Sequence, residues 1–97
     1  MKTVTTRIRE RDEETVAELE EEWGVDRSEV LRRLIRTGLD EWRTEKALEE
    51  LRERGVTVRR AAEIADVTYV EMLSLASEKG IDVGYTTDDL ARDLGRI

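Results

Sequence analysis

Cysteine, histidine and proline are all absent from the 97 residues. Without a thiol or an imidazole the chain lacks the nucleophile and the general base most used near neutral pH, and with them the usual zinc ligands. An enzyme is therefore not expected, nor a cofactor, nor a metal site. With no proline and only six glycines, little stands in the way of long helices. No apolar run approaches the ~20 residues of a membrane span, and no signal-peptide stretch opens the chain, so a cytoplasmic protein is expected.

What the sequence has in quantity is charge. Charged residues make up 42% of the chain, and 24 acids against 17 bases leave a formal charge of −7. Fourteen of the bases are arginine, with only Lys2, Lys46 and Lys79 as lysines. An acidic, lysine-poor surface suits a protein dissolved at high salt. At this length the chain is one small domain or two half-size modules that lean on a partner.

The charge is segregated. Residues 1–9 hold Lys2, Arg7 and Arg9 and no acid, so the other 88 residues sum to −10. Within this segment Val4, Thr6 and Ile8 alternate with Thr3, Thr5, Arg7 and Arg9, a period of two in β-branched residues that predicts a strand. A lone terminal strand needs a partner for its backbone, and the simplest is the same strand of a second copy, antiparallel about a two-fold axis.

Helical signals follow. Asp12 opens a helix that Gly24 closes, with Val16, Leu19 and Trp23 on one face. Asp26, followed three residues on by Glu29, starts a second helix along Val30, Leu31, Leu34, Ile35, Leu39 and Trp42. With no proline or glycine between Leu39 and Arg54, a long or slightly kinked helix is expected to continue through Ala47, Leu48 and Leu51 until Gly55. Thr57 caps a third helix with Ala61, Ala62 and Ala65, Asp66 and Val67 turn, and Thr68 with Glu71 starts a fourth that carries Met72, Leu73 and Ala76 to Gly80. Residues 81–85 read as extended, and Thr87 caps a last helix. The expected fold is mainly α, with one N-terminal β-strand pairing across a homodimer, then a helical hairpin and a short C-terminal helix. The expected boundary between the two regions falls at 44/45.

The run Val4-Thr-Thr-Arg-Ile-Arg9, then Gly24-Val-Asp-Arg-Ser-Glu-Val-Leu-Arg-Arg-Leu-Ile-Arg36, resembles the ribbon-helix-helix family of dimeric DNA-binding regulators over residues 2–43. The family's usual Ser or Thr at the second-helix cap is Asp26 here, and Glu10 stands where a proline often follows the strand. The resemblance implies a homodimer on double-stranded DNA, with a two-stranded ribbon in the major groove. Thr3, Thr5 and Arg7 would then face the bases; Arg suits guanine O6 and N7, and Thr offers a hydroxyl and a methyl. Phosphate contacts fall to Lys2, Arg9, Arg27 and Ser28, the last two at the positive end of the second helix, where the Asp26 carboxylate competes. Net acidity does not forbid this, because the sign at the contact face counts more than the total.

The second half, from Ala47-Leu-Glu-Glu-Leu through Ala61-Ala-Glu-Ile-Ala-Asp-Val-Thr68, is similar over about residues 46–95 to a family of small proteins regarded as antitoxins. Asp66 replaces that family's usual turn glycine. The resemblance implies a partner, typically a PIN-domain ribonuclease. Leu90, Arg92, Leu94 and Arg96 are the candidate partner-binding residues, since Arg92 and Arg96 are the only bases after Lys79 and flank apolar anchors. The hairpin of the third and fourth helices also looks like a helix-turn-helix. Its second helix begins with Tyr69, Val70 and Glu71, which suit packing or protein contact better than base reading. Asp88, Asp89 and Asp93 are read as helix N-terminal acids. The functional expectation is a dimeric DNA-binding antitoxin and autorepressor that neutralises a PIN-domain toxin. The alternative is a ribbon-helix-helix regulator with no toxin partner.

Overall fold

The computed structural model describes residues 1–83. Four helices follow one another, α1 (Glu10–Trp23), α2 (Arg27–Arg52), α3 (Val58–Ala65) and α4 (Tyr69–Glu78). The chain divides into two compact units, Met1–Thr37 and Gly38–Ile97. The expected boundary at 44/45 lies inside α2, which runs unbroken for 26 residues.

The expected fold class needs correcting. Residues 1–9 carry no secondary structure, and there is no strand or sheet among the described residues. Alternation of β-branched residues sets the preference of a segment, but a strand exists only when its backbone groups are paired, and the described chain offers no second strand. Val4 and Ile8, the apolar side of that alternation, are exposed. The expected pairing of strands across a dimer is accordingly withdrawn, and the described chain is all-helical. The C-terminal helix expected from Thr87 lies outside the described residues.

In the first unit, α1 begins at Glu10, earlier than the expected Asp12, with Arg9 as a cap that makes no side-chain capping bond. Asp12 pairs instead with Arg9 at 3.1 Å. Glu10, Asp12 and Glu13 all sit in the first turn, where carboxylates complement the helix dipole. Gly24 ends α1 with a φ of 64° and its N–H donating to the Glu20 carbonyl, the left-handed cap that glycine adopts most readily. The Asp26 carboxylate accepts from the Glu29 N–H at 2.9 Å and caps α2. Glu29 takes Arg33 at 3.1 Å and Arg32 at 3.6 Å; the two arginines one turn on give its carboxylate charge-assisted partners. Val16 and Val30 are the buried apolar residues of this unit.

The second unit has a continuous core. Ala47, Leu48 and Leu51 from α2 pack with Ala61, Ala62 and Ala65 of α3, with Met72 and Ala76 of α4, and with Ile81. The alanines let α3 approach its neighbours closely, and Met72, fully buried, fills the remaining space. Thr57 caps α3 by accepting from the Arg60 N–H. Asp66 takes the left-handed turn at a φ of 58°, which Asp tolerates better than most residues. At α4 the capping box is complete: the Thr68 hydroxyl accepts from the Glu71 N–H at 3.1 Å, and the Glu71 carboxylate accepts from the Thr68 N–H at 3.0 Å.

Helix α2 is apolar on two sides. Ala47, Leu48 and Leu51 are buried, whereas Leu34, Ile35, Leu39 and Trp42 are exposed, Trp42 by 59%. At 100° per residue the second set lies roughly opposite the first. Gly38 belongs to the exposed stripe, and a Cβ added there would meet nothing within 4 Å.

Candidate nucleic-acid interface

The three candidate base-reading residues, Thr3, Thr5 and Arg7, lie in the exposed segment 1–9. Arg7 forms no ion pair among the described residues, and neither does Lys2. Thr6, beside Arg7, donates its hydroxyl to the Arg7 carbonyl at 3.5 Å, long enough to hold the backbone only weakly. Nothing acidic stands within the segment. Two unpaired cations and two threonine hydroxyls are thus presented without a local carboxylate to compete for them.

The candidate phosphate contacts are in a different electrostatic state. Arg9 is held by Asp12 at 3.1 Å. Arg27 reaches back to two carboxylates of α1, Glu13 at 3.5 Å and Glu20 at 3.8 Å. Ser28 is exposed in the first turn of α2, and the Asp26 carboxylate already accepts the Glu29 N–H there. Arg27 would leave two acids to take a phosphate. No hydrogen bond or ion pair joins residues 2–7 to Arg27 or Ser28 among the described residues. Leu90, Arg92, Leu94 and Arg96 lie outside the described residues.

A second cationic cluster stands at the corner between α2 and α3, and the sequence reading passed over it. Residues 52–60 contain Arg52, Arg54, Arg59 and Arg60 against the single acid Glu53. Among the described residues only Arg60 of these is ion-paired, with Glu63 at 3.0 Å. Arg59 lies over the ring of Tyr69, 5.7 Å from its centroid, and Tyr69 is 42% exposed. A groove of about 500 Å³ opens at the same corner, where Arg54, Thr57 and Asp82 line it among apolar neighbours. The signal was available: four arginines in nine residues of an acidic chain. It was hidden because these residues straddle a helix end, a turn and a helix start, where attention falls on the breaker Gly55.

Arg54 itself has a φ of 60°. It ends α2 in the left-handed conformation usually given to glycine, with the Gly55 N–H bonded to the Glu50 carbonyl at 2.9 Å. Glycine is the next residue along, so an arginine stands where the backbone favours its neighbour.

Residues 28–97 match the uncharacterised protein family UPF0175. The chain belongs to that family. The match includes the whole of the second unit and begins near the start of α2, so the similarity expected over 46–95 reaches back to Ser28. The basic segment and α1 precede it. No curated protein and no solved structure matches the chain. Neither ribbon-helix-helix regulators nor PIN-domain partners are among what it matches. No helix of the described residues is long and apolar enough to cross a membrane.

Proposed function

We propose that this UPF0175 chain is a homodimeric DNA-binding antitoxin and autorepressor. Its basic N-terminal segment contacts operator DNA, and its second half binds and inhibits a PIN-domain ribonuclease. The observation that carries the DNA part is the segregation of charge: residues 1–9 are cationic and exposed, with Lys2 and Arg7 unpaired, ahead of 88 residues that sum to −10. A short basic arm can enter a groove without regular structure of its own, and the acidic remainder keeps the protein off random DNA. Arg7, Thr3 and Thr5 are assigned to bases, and Lys2, Arg9 and Ser28 to phosphates. Arg27 is the weaker assignment because Glu13 and Glu20 hold it.

The homodimer is supported by the exposed side of α2. Leu34, Ile35, Leu39 and Trp42 form an apolar stripe too large to be incidental on so small a chain. Gly38, in the same stripe, carries the helix-weakening cost of glycine, although its own chain leaves room for a Cβ. A second copy crossing closely at Gly38 accounts for both. The ribonuclease part rests on the resemblance of the second half to antitoxin-like proteins, with Leu90, Arg92, Leu94 and Arg96 as the proposed contacts.

The test is a band-shift titration on the duplex upstream of the chain's own gene. Arg7→Ala is expected to weaken binding by ~1–3 kcal/mol and to relax base preference. Unchanged affinity would remove the N-terminal segment from the interface. For the second activity, the full chain is expected to suppress cleavage by a PIN-domain ribonuclease encoded beside it, and Arg92→Ala with Arg96→Ala to relieve that suppression. Undiminished cleavage in the presence of the unmodified chain would refute the antitoxin assignment.

A further inference from the structure

We infer that the α2–α3 corner is a second DNA-contacting surface, on which Arg52, Arg54 and Arg59 take phosphates of the duplex backbone. The inference rests on the DNA-binding reading above and adds to it a surface in the second unit, far along the sequence from the N-terminal segment.

Three features coincide there. The first is unpaired charge. Along α2, Arg32 and Arg33 share Glu29, Arg43 pairs with Asp40, and Lys46 pairs with Glu50, while Arg36 makes no ion pair among the described residues. Past that point Arg52, Arg54 and Arg59 are exposed and make no ion pair among the described residues. Acids outnumber bases by 24 to 17 in the chain, and within residues 52–60 the balance is reversed, with four arginines to one acid. The nearby acids do not neutralise them. Glu50 is taken by Lys46 and Glu63 by Arg60, and no ion pair among the described residues joins Glu49 or Glu53 to these arginines.

The second feature is a local rule broken. Helices α1, α2 and α4 all carry acids in the first turn, whereas α3 carries none and has Arg59 and Arg60 there. Cations at the positive end of a helix dipole are unfavourable. The third is Arg54, held at a φ of 60°, whose guanidinium makes no ion pair among the described residues. Departures from local preference of this kind concentrate where a site needs them. Arg59 lies over the Tyr69 ring, 5.7 Å from its centroid, a contact that leaves its N–H donors without a carboxylate partner among the described residues and able to serve phosphate oxygens.

Backbone contact, not base reading, is the role that fits. Glu71, in the first turn of α4, is spent on the capping box, and α4 begins with no basic or amide side chain. Three arginines spread over a helix end, a turn and a helix start suit the repeated charges of a phosphate chain better than one carboxylate of a protein.

The experiment measures binding of the full chain to a duplex of about 30 base pairs by fluorescence anisotropy, across a series of salt concentrations, because the slope of log K against log salt counts phosphates at about 0.9 each. Three proteins are compared with the unmodified chain: Arg52→Gln/Arg54→Gln/Arg59→Gln, the same three positions changed to Lys, and Lys2→Gln/Arg7→Gln. For each chain of the bound dimer, the corner Gln variant is expected to lower the slope by roughly 2 to 3, the Lys variant to keep it, and the N-terminal variant to lower it by up to about 2. Circular dichroism confirms that each variant is folded. A corner Gln variant that keeps both slope and affinity while the N-terminal variant loses them would overturn the corner and leave the DNA reading standing. Equal loss in the Gln and Lys variants would also overturn it, since charge would not be the contact. An unmodified chain that binds no duplex would overturn both.

Discussion

Among the described residues, ten apolar side chains are buried in the second unit, from Ala47 to Ile81, and in the first only Val16 and Val30 are. The first unit is not poor in apolar residues. Val4, Ile8, Trp23, Leu34 and Ile35 are all there and all exposed. Its helices are tied by surface interactions, Arg27 to Glu13 and Glu20 and Arg33 over Trp23 at 5.5 Å, which contribute little in water. One unit therefore closes a core of its own, and the other holds apolar surface that its own residues do not cover. A unit of the second kind is stable when something else buries that surface.

Substitutions can pull this contrast apart. The largest effect is expected in the closed core. Met72→Ala removes a fully buried side chain and should cost ~2–5 kcal/mol in urea denaturation. A cost below about 1 kcal/mol would mean that Met72 does not anchor the second unit.

The exposed stripe should behave in the opposite way. Ile35→Glu adds charge to a residue already 56% exposed, so a lone chain would tolerate it within ~0.5 kcal/mol. In the dimer it should weaken association by about 100-fold or more, equivalent to ~2.7 kcal/mol, as read by sedimentation. An unchanged association constant would place the second copy elsewhere.

The helix starts give a smaller contrast. Thr68→Ala removes the hydroxyl that accepts the Glu71 N–H in the α4 capping box and should cost ~1 kcal/mol. Arg9→Ala at the start of α1, where no side-chain cap bond exists, should change stability by less than ~0.5 kcal/mol. Equal costs at the two positions would contradict the difference between the two caps. The smallest effect is a gain. Arg54→Gly relieves a left-handed arginine and should stabilise the fold by a few tenths of ~1 kcal/mol, net of the added freedom of the unfolded chain. A loss of stability would mean that the contacts of the Arg54 side chain at the groove outweigh the cost of its left-handed backbone.

Legibility in the sequence followed how local the cause was. Gly24, Thr57, Asp66, Thr68 with Glu71, and Gly80 could all be read because capping and left-handed turns depend on a few adjacent residues. The unbroken run of α2 was legible from the absence of breakers. The strand was misread because alternation at Val4, Thr6 and Ile8 is local, whereas pairing is not. The corner arginines were missed for a related reason. Their meaning lies in which carboxylates do not reach them, and that depends on where Lys46 and Arg60 place the neighbouring acids.

The central claim is that the first unit is completed by a second copy. Sedimentation equilibrium of the unmodified chain near 10 μM, with circular dichroism on the same sample, tests it most directly. The expected result is a helical species of about 22 kDa, twice the 11.2 kDa of one chain, dissociating only with loss of helix in the first unit. A stable 11.2 kDa monomer with all four helices intact would contradict the account.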